Sequence, residues 1–280
     1  MSDGKRTCAI TGASAGIGKA TAIDMARRGC SIVMFVRDCG KSRRAAEEVK
    51  AASGSDDVRL FYVDLSSRES IASAVEEVKR AGLAIDILVN NAGVYKRRRE
   101  VSADGIEMTL AVNFAAPFML TNLIVPLMEG DARIVNLASE HFRSGRVSFS
   151  GYLGEGRFNG SKTYASSKLL VVLWTRELAR RLKRSGITAN CVHPGVVGTD
   201  VFRDYPRWFN ALMTRFISKP EVGASPVVYL ATSPQLAGVT GEYFCKKERR
   251  PLSGPAADDS LGHRVWEYGT TLAAVRPGVD

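Results

Sequence analysis

Short apolar runs alternate with longer amphipathic runs over most of the 280-residue chain. The short runs are rich in β-branched and aromatic residues and predict strands at 6–10, 31–36, 58–63, 85–90, 133–137 and 187–192. The longer runs predict helices at 16–28, 41–52, 66–80, 105–128 and 163–184. A repeated strand–helix order of this kind predicts an α/β fold in which helices cover both faces of a parallel sheet.

The predicted organisation is one domain over residues 1–280, because no linker or internal repeat interrupts the alternation. Residues 200–219 carry Trp208, Phe209 and other apolar side chains at helical spacing. This spacing is typical both of a lid over a lipophilic ligand and of a helix packed on the core. A third interpretation places Arg207 and Arg215, beside these aromatic residues, at a membrane surface. Residues 246–280 form a basic C-terminal extension, with a predicted short helix at 261–268.

The composition contains 39 Lys+Arg and 29 Asp+Glu, a net charge of +10 that raises the question of an anionic partner. The basic runs at 96–99 and 246–250 accompany no nucleic-acid-binding motif, so we expect solvated surface and no nucleic-acid partner. Five scattered cysteines and an N-terminus without an apolar signal region predict a cytoplasmic protein. Residues 108–128 are uncharged but contain Pro117 and Pro126, which favours a buried core helix and no transmembrane anchor.

A glycine-rich turn, Thr11-Gly-Ala-Ser-Ala-Gly-Ile-Gly18, joins the first predicted strand directly to the first helix. Glycines allow a tight turn and a close approach to a ligand, and a helix N-terminus attracts a pyrophosphate. This position between strand and helix predicts a dinucleotide site, although such turns also occur without a ligand. Arg37 follows the second strand and precedes Asp38. A guanidinium there suits the 2′-phosphate of NADP, whereas a carboxylate binds the ribose of NAD, and this order favours NADP(H) over NAD(H).

Tyr164 and Lys168 are four residues apart and therefore share one face of the longest predicted helix. An ammonium beside a phenol favours the phenolate, so the spacing predicts a lowered tyrosine pKa and a usable proton donor or acceptor. Ser139 follows the fifth strand at the sheet edge where ligands bind, and Asn113 is an amide in the uncharged helix. Each also has a purely structural interpretation: a surface Tyr–Lys pair, a capping serine, and an asparagine that satisfies local backbone.

Taken together, over roughly residues 5–243, these motifs resemble those of the short-chain dehydrogenase/reductase family. The resemblance implies a doubly wound Rossmann fold with a parallel seven-stranded sheet, and hydride transfer between an alcohol and a carbonyl. It implies a catalytic tetrad of Asn113, Ser139, Tyr164 and Lys168, with Tyr164 as the acid and base, and no metal. The cofactor-binding residues that it implies are Gly12, Ser14, Gly16, Ile17, Gly18, Arg37, Asp64, Leu65, Asn91, Ala92, Gly93, Tyr164, Lys168, Pro194, Gly195, Val196 and Thr199.

Within that family the chain is most similar to the retinol dehydrogenase branch, in residues 17–21, 36–38, 133–136, 177–182 and 192–195. The long separation of Ser139 and Tyr164 is also typical of that branch. The similarity implies NADP(H) and a lipophilic alcohol or carbonyl substrate, either retinoid-like or another aldehyde or ketone. The family is often oligomeric, which makes a homo-oligomer an expectation. The alternative function is a non-catalytic dinucleotide sensor or scaffold, which has no need of a paired tyrosine and lysine.

Overall fold

A computed structural model describes residues 5–149, 158–195 and 219–274. Within these ranges the strands are β1 (Thr7–Thr11), β2 (Ser31–Val36), β3 (Val58–Tyr62), β4 (Ile87–Asn90), β5 (Arg133–Leu137), β6 (Thr188–His193), β7 (Tyr243–Cys245) and β8 (Glu248–Arg249). The helices are α1 (Gly16–Arg27), α2 (Gly40–Ser53), α3 (Arg68–Arg80), α4 (Met108–Leu110), α5 (Ala116–Ile124), α6 (Gly160–Arg181), α7 (Pro220–Thr232) and α8 (Asp259–Ala273). Val196, Thr199 and all of the predicted lid except Lys219 lie outside the described residues.

The strands form one sheet in the order β3-β2-β1-β4-β5-β6-β7-β8. All neighbouring strands from β3 to β7 are parallel, and only the short β8 runs antiparallel to β7. The strand order reverses between β1 and β4, which is the point where open α/β sheets bind ligands beyond the carboxyl ends of their strands. The prediction of a doubly wound parallel α/β sheet is therefore confirmed, with β8 as an addition that the sequence did not predict.

Helices cover both faces of this sheet because the central strands are apolar on both sides. Strand β2 is buried from Ile32 onward, as predicted from its continuous apolar run. One face packs against α1, α2 and α7 through side chains such as Met25, Val49 and Val227. The other face packs against α3, α5, α6 and α8, with Trp174 among its largest buried side chains. Burial of each such side chain contributes about 1.5–3 kcal/mol to the free energy of unfolding.

The uncharged segment Met108–Leu127 is long and apolar enough to cross a membrane, with a mean hydropathy of 1.7, but 78% of it is buried inside the protein. The sequence predicts one helix here, whereas the structure inserts a wider π-helical turn, Ala111–Ala115, between α4 and α5. Pro117 has no N–H to donate to the carbonyl of Asn113, four residues earlier, so the regular ladder is broken at this point. Asn113 consequently lies within the π turn.

The C-terminal extension contains α8, which is longer than the short helix predicted within it. This helix packs against α5 and α6, and the ring of Trp266 lies 5.0 Å from that of Phe118. Within the basic run at 246–250, Arg249 contacts Glu242 and Arg250 contacts Glu248. Two of the four basic side chains of this run are therefore paired with carboxylates at the surface.

Candidate active site

The turn between β1 and α1 depends on glycine because two chain segments approach each other closely. A Cβ atom at Gly18 would lie 2.4 Å from Asn91 Nδ2 and 2.6 Å from the carbonyl oxygen of Gly12, and Gly12 itself has a φ of +66°. Asn91 Nδ2 donates to the Thr11 carbonyl at 2.7 Å, which ties the end of β4 to this turn. Ala15 precedes α1 and provides no capping side chain, so the first N–H groups of the helix are left for a ligand.

A cleft of about 650 Å³ opens at the carboxyl edge of the sheet, beside this turn. It brings together most of the predicted site residues: Gly12, Ser14, Gly16, Ile17, Arg37, Asp64, Leu65, Asn91, Ala92, Gly93, Ser139, Tyr164, Lys168, Pro194 and Gly195. Gly18 and Asn113 do not line the cleft. Gly18 lies behind the turn that it allows to form, and Asn113 supports the wall from behind.

Arg37 and Asp38 have different surroundings, although they are adjacent in the sequence. Arg37 lines the cleft, together with Lys41 of α2. Asp38 instead forms an ion pair with Arg43, with 2.6 Å between Oδ1 and Nη2, and the guanidinium of Arg43 also contacts the Tyr62 hydroxyl. Two basic side chains, Arg37 and Lys41, therefore line this end of the cleft and can attract an anionic group of a ligand.

At the other end of the cleft, α6 holds Tyr164 and Lys168 on one face, as predicted. The helix begins with Asn159 as its N-cap, whose side chain accepts a hydrogen bond from the N–H of Lys162. The Lys168 ammonium lies 5.8 Å from the centre of the Tyr164 ring and donates to the Leu137 carbonyl at 2.8 Å. Tyr164 is 9% exposed and Lys168 5%, so both groups have lost most of their water.

Burial dominates the proton affinities of this pair. It raises the pKa of Tyr164 to about 12, against which a hydrogen bond from Ser139 acts in the lowering direction. Burial also lowers the pKa of Lys168 to about 8. The sequence predicted that Lys168 would lower the pKa of the phenol, and this was wrong because desolvation outweighs an ammonium already bonded to the Leu137 carbonyl.

Asn113 connects two elements of the site from its position in the π turn. Its Oδ1 accepts from the Val94 N–H at 2.8 Å, and its Nδ2 donates to the Val94 carbonyl at 2.9 Å and to Ser167 Oγ at 3.1 Å. The buried amide is thus satisfied by backbone and by α6, as a buried polar group requires. Asn113 fixes the distance between α6 and the segment that follows β4.

Among the cleft residues that were not predicted from the sequence are Tyr95, Glu140 and His141. Tyr95 packs edge-on against Tyr164 with 5.8 Å between ring centres, and its hydroxyl bonds to Ser161 Oγ. Glu140 and His141 follow Ser139 and line the same wall. Their adjacency to Ser139 was the available signal, but the sequence does not show which way a turn aims its side chains.

Comparison with known proteins identifies the family to which this fold and cleft belong. The short chain dehydrogenase family model matches residues 6–209 of the chain. The chain belongs to the short-chain dehydrogenase family. This dehydrogenase is therefore an oxidoreductase that interconverts an alcohol and a carbonyl with NAD(P). A dinucleotide fits the glycine turn, the uncapped start of α1 and the cleft beside them. The turn depends on Gly18, because a Cβ there would push apart the two chain segments that form it.

Several relatives are similar over nearly the whole dehydrogenase. It is 35% identical to human retinol dehydrogenase 13, over 96% of this chain and 85% of the relative. It is 33% identical to a bovine dehydrogenase/reductase family member 13, over 98% of this chain and 75% of the relative. Among solved structures it is similar to a Burkholderia cenocepacia short chain dehydrogenase in complex with NADP, at 26% identity and a TM-score of 0.69, covering 86% of this chain and 95% of the other.

Proposed function

We propose that this dehydrogenase uses NADP(H) to reduce the carbonyl group of a lipophilic small molecule, and to oxidise the corresponding alcohol, with Tyr164 as the acid and base. The observation that carries the proposal is the placement of Ser139, Tyr164 and Lys168 along one cleft with Arg37 and the glycine turn. Similarity to retinol dehydrogenases supports a retinoid-like aldehyde or another apolar carbonyl as substrate.

The cofactor preference follows from the charge at one end of the cleft. Gly12, Ser14, Gly16 and Ile17 would hold the pyrophosphate at the start of α1, and Arg37 would bind the 2′-phosphate of NADP. Asp38, which would otherwise favour the ribose of NAD, is neutralised by Arg43. Solved relatives in complex with NADPH or NADP support the same preference. When bound, the dinucleotide supplies or accepts the hydride.

The residues at the other end of the cleft handle the proton. Because the pKa of Tyr164 is about 12, its hydroxyl is protonated at neutral pH, which is the form that a carbonyl reduction requires. Tyr164 donates this proton to the substrate oxygen in reduction and takes it back in oxidation. The Ser139 hydroxyl positions the same oxygen, and Lys168 holds a positive charge beside the phenol. Asn113 holds α6 at a fixed distance from the segment after β4, and it would anchor a water relay.

We also propose that the protein resides in a reducing compartment. All five cysteines are free thiols, and three of them are buried. This state supports a reducing compartment such as the cytoplasm.

The direct test is a spectrophotometric screen of NADPH and NADH oxidation with retinal, other aldehydes and ketones as substrates. The expected result is faster turnover with NADPH and with the more apolar carbonyls. Wild-type protein that binds NADPH but oxidises it with none of these carbonyls would instead be a dinucleotide sensor or scaffold, and the proposal would fall.

A further inference from the structure

The turn that follows β5 brings an imidazole to the proposed acid and base. Ser139 precedes a short 3₁₀ helix, Glu140–Ser144, and its Oγ lies 3.1 Å from His141 Nδ1. The same Oγ accepts a hydrogen bond from the backbone N–H of His141 at 3.4 Å, and the Ser139 side chain acts to lower the pKa of the Tyr164 hydroxyl. The His141 ring stands edge-on to the Tyr164 ring, with 5.8 Å between their centres. His141 and Tyr164 both line the cleft.

The hydrogen-bonding capacity of Ser139 makes His141 consequential. A serine hydroxyl carries one proton and two lone pairs. If His141 Nδ1 carries a proton, it donates to Ser139 Oγ, and the serine proton is free to point to Tyr164 or to a substrate oxygen. If Nδ1 carries no proton, it is an acceptor, and it competes with that oxygen for the one proton of Ser139.

We propose that His141 is a positioning residue that sets the direction in which the Ser139 hydroxyl donates. With a proton on Nδ1, Ser139 donates to the carbonyl oxygen and supports its reduction. Without that proton, Ser139 donates to His141 and the carbonyl oxygen loses one of its two donors. This inference rests on the proposed function, because it assigns His141 a role in that reaction.

The position of the imidazole is fixed by contacts of the turn with neighbouring elements. Glu140 accepts hydrogen bonds from the Tyr243 hydroxyl of β7 and from Arg143 Nε. Although burial raises the pKa of Glu140, these two hydrogen bonds hold it below its ordinary value, so the carboxylate stays charged. Phe142 is buried and packs edge-on against Tyr243, with 5.0 Å between ring centres. His141 is exposed to the cleft but is carried on an anchored turn.

The charged and titratable groups around His141 come from three elements. Tyr164 faces it from α6, Glu140 belongs to its own turn, and His193 lies at the end of β6. Burial lowers the pKa of His193 below its ordinary value, although the carboxylate of Glu140 acts in the raising direction. Of the two histidines that line the described part of the cleft, His141 is the more exposed and the one that reaches Ser139.

The test compares two substitutions that separate packing from hydrogen bonding. His141→Phe keeps a ring against Tyr164 but has no hydrogen-bonding nitrogen, whereas His141→Asn keeps a polar group near the position of Nδ1 that does not titrate. For carbonyl reduction we expect His141→Phe to lower kcat about tenfold with the KM for NADPH unchanged. We expect His141→Asn, whose amide can still donate a hydrogen bond to Ser139 Oγ, to retain most of the wild-type kcat.

The background variant Ser139→Ala gives the sharper control. If His141 acts through Ser139, His141→Phe has no further effect on kcat in that background. Ser144→Ala is the matched control on the same turn, since Ser144 Oγ donates a hydrogen bond to the His141 carbonyl and not to Ser139, and it should leave kcat unchanged. Wild type that reduces carbonyls with the same kcat as both His141 variants overturns this inference alone. Wild type that reduces none overturns the proposed function first.

Discussion

The two ends of the cleft present different parts of the chain to a ligand: backbone at one end and side chains at the other. At the β1 end the chain presents backbone: Gly12 and Gly18 bring two segments into contact, α1 begins without a capping side chain, and Arg37 lies exposed at the rim. At the β5 end it presents the side chains of Ser139, Tyr164 and Lys168, which are almost fully buried, with Lys168 at 5% and Ser139 at 7% exposure. One end can adapt to a large flexible ligand, whereas the other holds a few atoms in fixed positions.

This difference indicates that the β1 end binds the cofactor and the β5 end transfers the proton. Backbone donors and a surface guanidinium contribute binding energy without changing the protonation of any group. Burial at the β5 end does change protonation. It raises the pKa of Tyr164, which keeps its proton, and lowers the pKa of Lys168, which loses its proton more easily. We therefore expect substitutions at the β1 end to act on cofactor affinity, and substitutions at the β5 end to act on turnover.

The largest effect is expected for Tyr164→Phe, which removes the proton donor and keeps the ring. General acid–base catalysis contributes about 10²–10⁴-fold, so kcat for carbonyl reduction should fall about a thousandfold. Steady-state kinetics at saturating NADPH measures this change. A variant that kept more than a tenth of the wild-type kcat would remove Tyr164 from the mechanism.

Gly18→Ala should be next, because its Cβ would meet the Gly12 backbone carbonyl at 2.6 Å. Backbone displaced by overpacking costs about 2 kcal/mol, which corresponds to about a thirtyfold weaker Kd for NADPH. Fluorescence titration of NADPH gives this value. The matched control is Gly262→Ala in α8, where the Cβ would be 3.6 Å from the Leu173 carbonyl oxygen, an ordinary contact. Equal losses in both variants would contradict the close-approach argument.

Lys168→Met should stabilise the protein while it abolishes activity. The pKa of Lys168 is about 8 in the folded chain, below its ordinary value of 10.5, so the unfolded chain binds more protons between these two pH values. Wild-type stability therefore rises with pH across that window, and the variant lacks this rise. Below pH 8 the variant should be more stable by about 3 kcal/mol, and the gain should vanish above pH 10.5. Denaturant unfolding at several pH values measures the difference in the free energy of unfolding between the variant and wild type. A difference that stayed constant with pH, or had the opposite sign, would show that Lys168 carries no burial cost.

The smallest of these effects is expected for Arg37→Ala. Loss of one exposed, charge-assisted contact should raise the KM for NADPH about tenfold and leave the KM for NADH nearly unchanged. Arg59→Ala on β3 is the control, since Arg59 is exposed and lies near Asp57 away from the cleft. If both cofactors lost affinity equally, Arg37 would bind a part that NADP and NAD share.

The order of elements and the glycine turn could be predicted from sequence because their signals are local. Periodicity identified strands β1 to β6 but not the short β7, and the position of Gly12 to Gly18 between strand and helix located the cleft. Strand β8 escaped prediction because its two residues are exposed and charged. The raised pKa of Tyr164 escaped for a different reason: it depends on elements that are distant in sequence and bury the phenol only in the fold.

The separation of cofactor binding from proton transfer is tested most directly by measuring, in each of two variants, the property that the substitution should leave unchanged. The Kd for NADPH is measured for Tyr164→Phe, and kcat at saturating NADPH is measured for Arg37→Ala. We predict that Tyr164→Phe binds NADPH within about threefold of wild type although its turnover is lost, and that Arg37→Ala turns over within about threefold of wild type although its affinity is reduced. A Tyr164→Phe variant that no longer binds NADPH, or an Arg37→Ala variant that is inactive at saturation, would contradict the separation of binding from proton transfer.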